Sequence, residues 1–275
     1  MENKKLKKFE NVGGSSLFLI SPCKKYIFKK IRDIRFVKKN NEIDAYEKLS
    51  VLYNFKHIIP RFYGKKEDKN NYYMIIENLN THFHNYEIQK PAIIDFKIGL
   101  GEHKFHSHTL KGKQSKFFSE NVIMSIKKGI QLHGLKNGNN CYDKKYGKTI
   151  NYNYDSLKDV LNKFLADGNL IRYDLLPIFI DNLTVIANSI LKKDPLFDTS
   201  VLLFWKHNTV LCRLIDFGKY NCHIYKQFYP NEIYNFDRGV YYLVDIMKSM
   251  YKEYVDDVDK NNVQYFIFVD YKKKN

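Results

Sequence analysis

The stretch PAIIDFKIG, Pro91 to Gly99, sets one carboxylate and one ammonium two residues apart inside an otherwise apolar run. In an extended strand residues i and i+2 share a face, so Asp95 and Lys97 point together while Ile94, Phe96 and Ile98 point away. Both charges then face one cavity. Further on, RLIDFGK closes an apolar strand on Asp216, with Phe217 and Gly218 leaving its carboxylate at a strand end beside open backbone. A hard cation such as Mg²⁺ takes few carboxylates together with phosphate oxygens and water, which suits Asp216. An Asp in an Asp-x-Gly bend is equally an ordinary turn former. Lys29, in a basic apolar run, and Glu42, opening the next helix, suit a lysine that reaches nucleotide phosphates and is steered by a helix carboxylate. The plainer alternative is a surface lysine and an acid favoured at a helix N-terminus by the dipole. In VGGSS, Gly13 and Gly14 let the backbone bend close to phosphates or simply turn. His103, His106 and His108 of HKFHSH lack a second ligand cluster nearby and sit among cations, which favours a solvated or phosphate-facing segment over a metal.

These groups need a scaffold to bring them together. SLFLI and KKYIFKKI alternate around SPCK and read as a hairpin. NEIDAYEKLSVLYNF carries Ile43, Tyr46, Leu49 and Leu52 or Tyr53 at helical spacing. RFYGKKEDKNNYYMIIENL reads as two strands around a polar turn. Past residue 90 the pattern turns helical and mixed. YDSLKDVLNKFLADG puts Leu157, Val160, Leu161, Phe164 and Leu165 on one face, with Gly168 as the expected stop. IRYDLLPIFIDNLTVIANSIL reads as a second helix with Pro177 in its first turn or at a kink. SVLLFWK and TVLCRLIDF read as strands joined by HNT, and RGVYYLVDIMKSMYKEY as a last helix. The reading is α+β, with a small β-rich N-terminal lobe and a larger mixed C-terminal lobe meeting at a crossing around residues 77 to 90.

The chain has 275 residues, of which 44% are hydrophobic and 16% aromatic, enough to bury a core and too rich for disorder. Lys and Arg total 46 against 30 Asp and Glu, an excess of +16 that attracts polyanions and speeds their arrival. Nucleic acid, anionic membrane and highly phosphorylated small molecules are the candidate partners, beside a merely solvated basic surface. Four scattered cysteines without a Cys-x-x-Cys pair exclude a disulfide framework and a zinc ribbon. MENKKLKKFENVGG has no apolar leader core, and no uncharged run is long enough to span a bilayer, so a soluble intracellular chain is expected.

With these residues in view, the order of motifs resembles the inositol polyphosphate kinase family over most of the chain. PAIIDFKIG matches the family signature Pro-x-x-x-Asp-x-Lys-x-Gly at Pro91, Asp95, Lys97 and Gly99. VGG resembles its Gly-Gly phosphate-loop turn, YIFKKI its nucleotide-lysine strand, EIDAYE its first helix and IIENLNTHF its hinge. KKYGKTINYNYDSLKDVLNKFLADGNLIRYDLL is similar to the paired helices of hexakisphosphate kinases and multikinases. TSVLLFW resembles the Ser-Ser-Leu-Leu strand, and LIDFGK the Ile-Asp-Phe motif.

The resemblance implies a bilobal fold related to protein kinases and ATP-grasp enzymes. Residues 1–79 would form the ATP-binding lobe and hinge and residues 80–275 the catalytic lobe, with a short helical acceptor insert at 100–128. It implies adenine against the hinge backbone of Glu77 and Leu79, Gly13 and Gly14 in the phosphate loop, and Lys29 on ATP phosphates held by Glu42. Asp216 would bind Mg²⁺ with Ser200 nearby. Lys97 would bridge the transferred phosphoryl group and the acceptor, and Asp95 would serve as ribose ligand or base. Lys111, Lys113, Gln114 and Lys116 of the insert, with Lys219, would hold substrate phosphates. The implied activity is an ATP- and Mg²⁺-dependent phosphotransferase, a hexakisphosphate kinase making diphosphoinositol phosphates. The alternatives are a multikinase acting on lower inositol phosphates and an inactive polyphosphate sensor or scaffold. A monomer in cytoplasm or nucleus, without obligate nucleic acid or a membrane span, completes the expectation. IDFGK in place of Ile-Asp-Phe-Ala-His, TSVLL in place of Ser-Ser-Leu-Leu, and the blurred Gly-Tyr pattern at Asn235 and Phe236 depart from the hexakisphosphate kinases.

Overall fold

A computed structural model describes residues 6–9, 17–31, 41–68, 71–99, 124–125, 127–138, 140–189, 199–217 and 236–260. They form a mixed α+β fold of two five-stranded antiparallel sheets, a small two-stranded ribbon and, among the described residues, five α-helices.

The first sheet contains β1 (Lys7–Lys8), β2 (Phe18–Ile20), β3 (Tyr26–Ile31), β4 (Phe62–Asp68) and β5 (Asn71–Glu77), in the order β1-β2-β3-β5-β4. Between β3 and β4 lies helix α1 (Asn41–Leu49), whose Ile43, Tyr46 and Leu49 join the core. The helix is shorter than its periodicity predicts. It ends at Leu49, and the chain turns through residues 50–59, leaving Val51 and Tyr53 exposed while Phe55, Ile58 and Ile59 dip into the core. Ile58 then accepts a 2.7 Å backbone bond from Leu214, tying this turn to the second sheet.

After β5 the chain enters a 3₁₀ turn, Leu79–His82, capped by the buried Asn78. The Asn78 Nδ2 donates to the Lys24 carbonyl at 2.7 Å, and its Oδ1 accepts from Asn80 N–H at 3.2 Å, so one side chain fixes both the β2–β3 turn and the crossing. The buried Lys206 ammonium donates to the carbonyls of His84, Asn85 and Gln89 and pins the rest of that connection.

The second sheet contains β6 (Ala92–Ile98), β7 (Ile130–Asn137), β8 (Asn140–Tyr142), β11 (Thr199–Lys206) and β12 (Thr209–Ile215), in the order β12-β11-β6-β7-β8. Ile94, Phe96 and Ile98 are fully buried on one face of the central strand β6, each contributing about 1.5–3 kcal/mol by burial. Helices α2 (Lys144–Gly147), α3 (Tyr154–Leu165), α4 (Leu176–Ser189) and α5 (Phe236–Lys260) follow in the chain. The buried residues of α3, α4 and α5 join those of β6 in one core.

Three sequence expectations change here. Helix α3 stops at Leu165, and Gly168, with φ +60°, makes the turn of a ribbon formed by β9 (Ala166–Asp167) and β10 (Leu170–Ile171) instead of capping the helix. The second helix begins at Leu176, after that ribbon strand and a 3₁₀ turn, so Pro177 lies in its first turn, where a missing N–H costs nothing. The β7–β8 hairpin has no counterpart in the expected elements.

Candidate active site

Strand register builds the site. Lys97 pairs directly with Ser200 on β11 and with Gln131 on β7, so the three side chains form one row across the face opposite Phe96. In the next row Asp95 pairs with Leu202 and Gly134, and the spacing shifts by one residue at a bulge that takes up His133. Ser200 also pairs with Ile215, which delivers Asp216 to the same edge.

Four charged groups meet there. Lys29 on β3 donates to both carboxylate oxygens of Glu42, at 2.6 and 2.8 Å, and reaches Asp216 Oδ1 at 3.4 Å. Lys97 donates to Asp216 Oδ2 at 2.6 Å. The chain thus runs Glu42–Lys29–Asp216–Lys97 and links the two sheets through side chains more than a hundred residues apart. Burial disfavours the Lys29 ammonium, yet Glu42 and Asp216 outweigh it and hold its pKa above the ordinary value. At Asp216 burial likewise opposes ionisation, and the two ammonium groups overcome it and hold the carboxyl well below the usual range. Asp216 nonetheless keeps 41% of its side chain accessible, against 11% for either lysine.

Asp95 contrasts with it. Burial pushes its carboxyl up to about 6, against the pull of the Ser200 hydroxyl, which donates to it, and of Lys97. Its Oδ1 is buried with no hydrogen-bond partner among the described residues. An unsatisfied buried carboxylate oxygen costs stability and marks a position shaped for something other than folding.

Beside these charges opens a cleft bounded by Lys29, Glu42, Asp95 and Asp216 at one end and by Glu77, Asn78 and Leu79 at the other. Between the ends the walls are apolar, with Phe18, Ile27, Met74, Leu202 and Ile215 among them. Leu79 opens its 3₁₀ turn, and the first amides of such a turn have no partner inside it, which leaves its N–H suited to an edge acceptor. The Glu77 side chain faces elsewhere. It accepts from the Arg61 amide at 3.2 Å and hydrogen-bonds His82 at 3.0 Å.

The structure therefore gathers Lys29, Glu42, Asp95, Lys97, Ser200 and Asp216 at one end of the cleft and Glu77 and Leu79 at the other. Gly13, Gly14, Lys111, Lys113, Gln114, Lys116 and Lys219 lie outside the described residues, as do His103, His106 and His108. Among the described residues no cluster of three or more His, Cys, Asp or Glu forms a metal cage, and no helix is long and apolar enough to cross a membrane. A divalent ion that shares its shell with phosphate needs no cage. The donor set fits one. Asp216 offers an accessible carboxylate, whereas the Ser200 hydroxyl is 2% accessible and spent on Asp95.

Sequence reasoning missed Gln131, although IQLHGL alternates apolar and polar residues as a half-buried strand does. It placed Tyr46 on a helix face and Phe217 after Asp216 without bringing them together, although their rings meet.

The sequence model described as inositol polyphosphate kinase matches residues 73–251, from β5 almost to the end of α5. The chain belongs to the inositol polyphosphate kinase family. That span carries Asp95, Lys97, Ser200 and Asp216, while Lys29 and Glu42 precede it, so the family match and the charge cluster overlap without being the same observation. Membership brings a kinase acting on inositol phosphates. No curated protein matches the chain.

Proposed function

We propose that the chain is an ATP- and Mg²⁺-dependent inositol polyphosphate kinase whose acceptor is inositol hexakisphosphate and whose product is a diphosphoinositol phosphate. The observation that carries the kinase reading is the chain Glu42–Lys29–Asp216–Lys97 at the mouth of an apolar cleft. Residues 1–79 act as the nucleotide lobe and hinge and residues 80–275 as the catalytic lobe, with 100–128 receiving the acceptor. Adenine lies in the apolar slot against the backbone of Glu77 and Leu79, and the phosphate tail runs toward Lys29. Asp216 would hold Mg²⁺, which would supply positive charge against that tail.

Phosphoryl transfer depends on positioning and electrostatic stabilisation more than on covalent help from the protein. Lys97 stands between Ser200 and Gln131 in the sheet register and donates to Asp216, on the route from nucleotide to acceptor. Its ammonium stabilises charge on the moving phosphoryl group. Asp95, hydrogen-bonded to Ser200 and two residues before Lys97 on the same face, binds the ribose or takes the acceptor proton. The excess of +16 favours a ring bearing many phosphates. Similarity of VGG, ENLNTHF and the paired-helix segment to hexakisphosphate kinases supports that acceptor over less phosphorylated ones.

Incubation with ATP, Mg²⁺ and a panel of inositol phosphates, with products resolved by chromatography, tests this directly. A diphosphate formed from the hexakisphosphate is expected. Turnover of lower inositol phosphates alone replaces the acceptor assignment, and binding without turnover of any member overturns the kinase reading.

A further inference from the structure

Resting on the site reading just given, we infer that Tyr46 is a positioning residue, acting through Phe217 to aim the Asp216 carboxylate at its metal. Glu42 and Tyr46 stand four residues apart on α1 and so share a face. The first engages Lys29, and the second meets Phe217, ring centroids 5.0 Å apart and planes at 74°. This is an edge-to-face contact of the favoured kind. Tyr46 also stacks on Phe62 of β4, with centroids 5.8 Å apart. Tyr46 is 1% accessible and Phe217 is fully buried, yet Asp216, one residue before Phe217, is open to the cleft.

The backbone explains why such an anchor is needed. Asp216 has φ +66°, a left-handed conformation that residues with a Cβ seldom adopt. Its carboxylate must leave the strand toward the cleft while the next side chain dives into the core. A backbone of this kind persists only where its surroundings hold it, and the surroundings here are the ring socket of Phe217. Because Tyr46 lines the socket from α1, the helix that steers Lys29 also sets the direction of Asp216. Loosening the socket leaves the Lys29–Glu42 pair intact and turns Asp216 away from the metal.

The test measures ATP binding by calorimetry with and without Mg²⁺, in the absence of acceptor. The wild-type chain gains affinity from Mg²⁺. Tyr46→Leu loses most of that gain, about tenfold, over and above any change in metal-free ATP affinity that follows from Tyr46 also lining the cleft. Phe217→Leu does the same, and the double variant is no worse than either single one, because the two rings act as one unit. Tyr46→Phe, which keeps the edge contact, retains the gain. Phe62→Leu lowers the melting temperature and keeps the gain, which separates loosened packing from a misdirected carboxylate. Retention of the Mg²⁺ gain in both Tyr46→Leu and Phe217→Leu overturns the inference, as does its loss in Tyr46→Phe. No Mg²⁺ gain in the wild-type chain overturns the underlying site reading instead.

Discussion

Lys29 and Lys97 are equally buried, each with 11% of its side chain accessible, and both contact Asp216, yet they are held very differently. Lys29 has Glu42 as a second, enclosed partner whose own side chain is 8% accessible. Lys97 hydrogen-bonds Asp216 alone among the described residues, and that carboxylate is 41% accessible. One ammonium is built into the first sheet. The other is attached to a group that faces the cleft. A lysine used for binding can be part of the framework, whereas one that follows a moving group must not be.

The contrast breaks first at Lys97. Lys97→Met should lower kcat by about 10³-fold, the scale of losing a preorganised charge donor, while the melting temperature hardly moves because its partner remains solvated. Activity within tenfold of wild type would remove Lys97 from the reaction. Lys29→Met should act in the opposite sense on stability. It removes the ammonium from which both oxygens of the enclosed Glu42 carboxylate accept and should lower the denaturant midpoint clearly, together with weakened ATP binding. Equal stability of the two methionine variants would erase the distinction.

The smallest effect concerns Asp95 and sharpens the comparison by pH. Burial raises its carboxyl from 3.8 to about 6. The folded chain therefore holds a proton that the unfolded chain releases between those values. Its favourable contribution is complete below pH 4 and is lost as pH rises through 6. Asp95→Asn should then be more stable than wild type at pH 7.5, by at most about 3 kcal/mol, and no more stable at pH 4. Denaturant midpoints at the two pH values check this. A gain at both, or at neither, would show that Asp95 is not held as a strained carboxylate.

The strands that carry charge were legible because alternation survives inside them. PAIIDFKIG assigns Asp95 and Lys97 to one face and Ile94 and Phe96 to the other, and the register agrees. Helix α3 was equally clear, with its five buried residues at helical spacing and Asn153 as cap. Boundaries failed where tertiary packing overrides local pattern. The α1 periodicity runs on into Leu52 and Tyr53, but the chain turns away to bring Ile58 and Ile59 under the second sheet. Gly168 signals a turn without saying whether a helix or a ribbon uses it. At the site, the residue types of Lys29, Asp95, Lys97 and Asp216 were visible, whereas the meeting of Lys29 and Lys97 on Asp216, at 3.4 and 2.6 Å, joins two different sheets and no spacing in the sequence encodes it. The ring pair behind Asp216 was hidden for a related reason. A buried Tyr and Phe look like any core residues until one is seen to steady a left-handed aspartate.

Glycines govern the mouth through which residues 100–128 leave the second sheet and return to it. Gly99 and Gly129, each at φ +70°, close the hairpin neck with a 3.3 Å backbone bond. Gly239 of α5 presses so close that a methyl there would come within 2.3 Å of the Gly129 carbonyl and 2.8 Å of Ile98. Three positions without side chains thus let α5 and the hairpin neck come together against the Ile98 side chain. With no side chain at any of the three, β6 and β7 keep their pairing to its last partners, Ile98 and Ile130, while α5 lies directly across the neck, so the row that holds Lys97 and Gln131 is framed right up to the point where the chain departs.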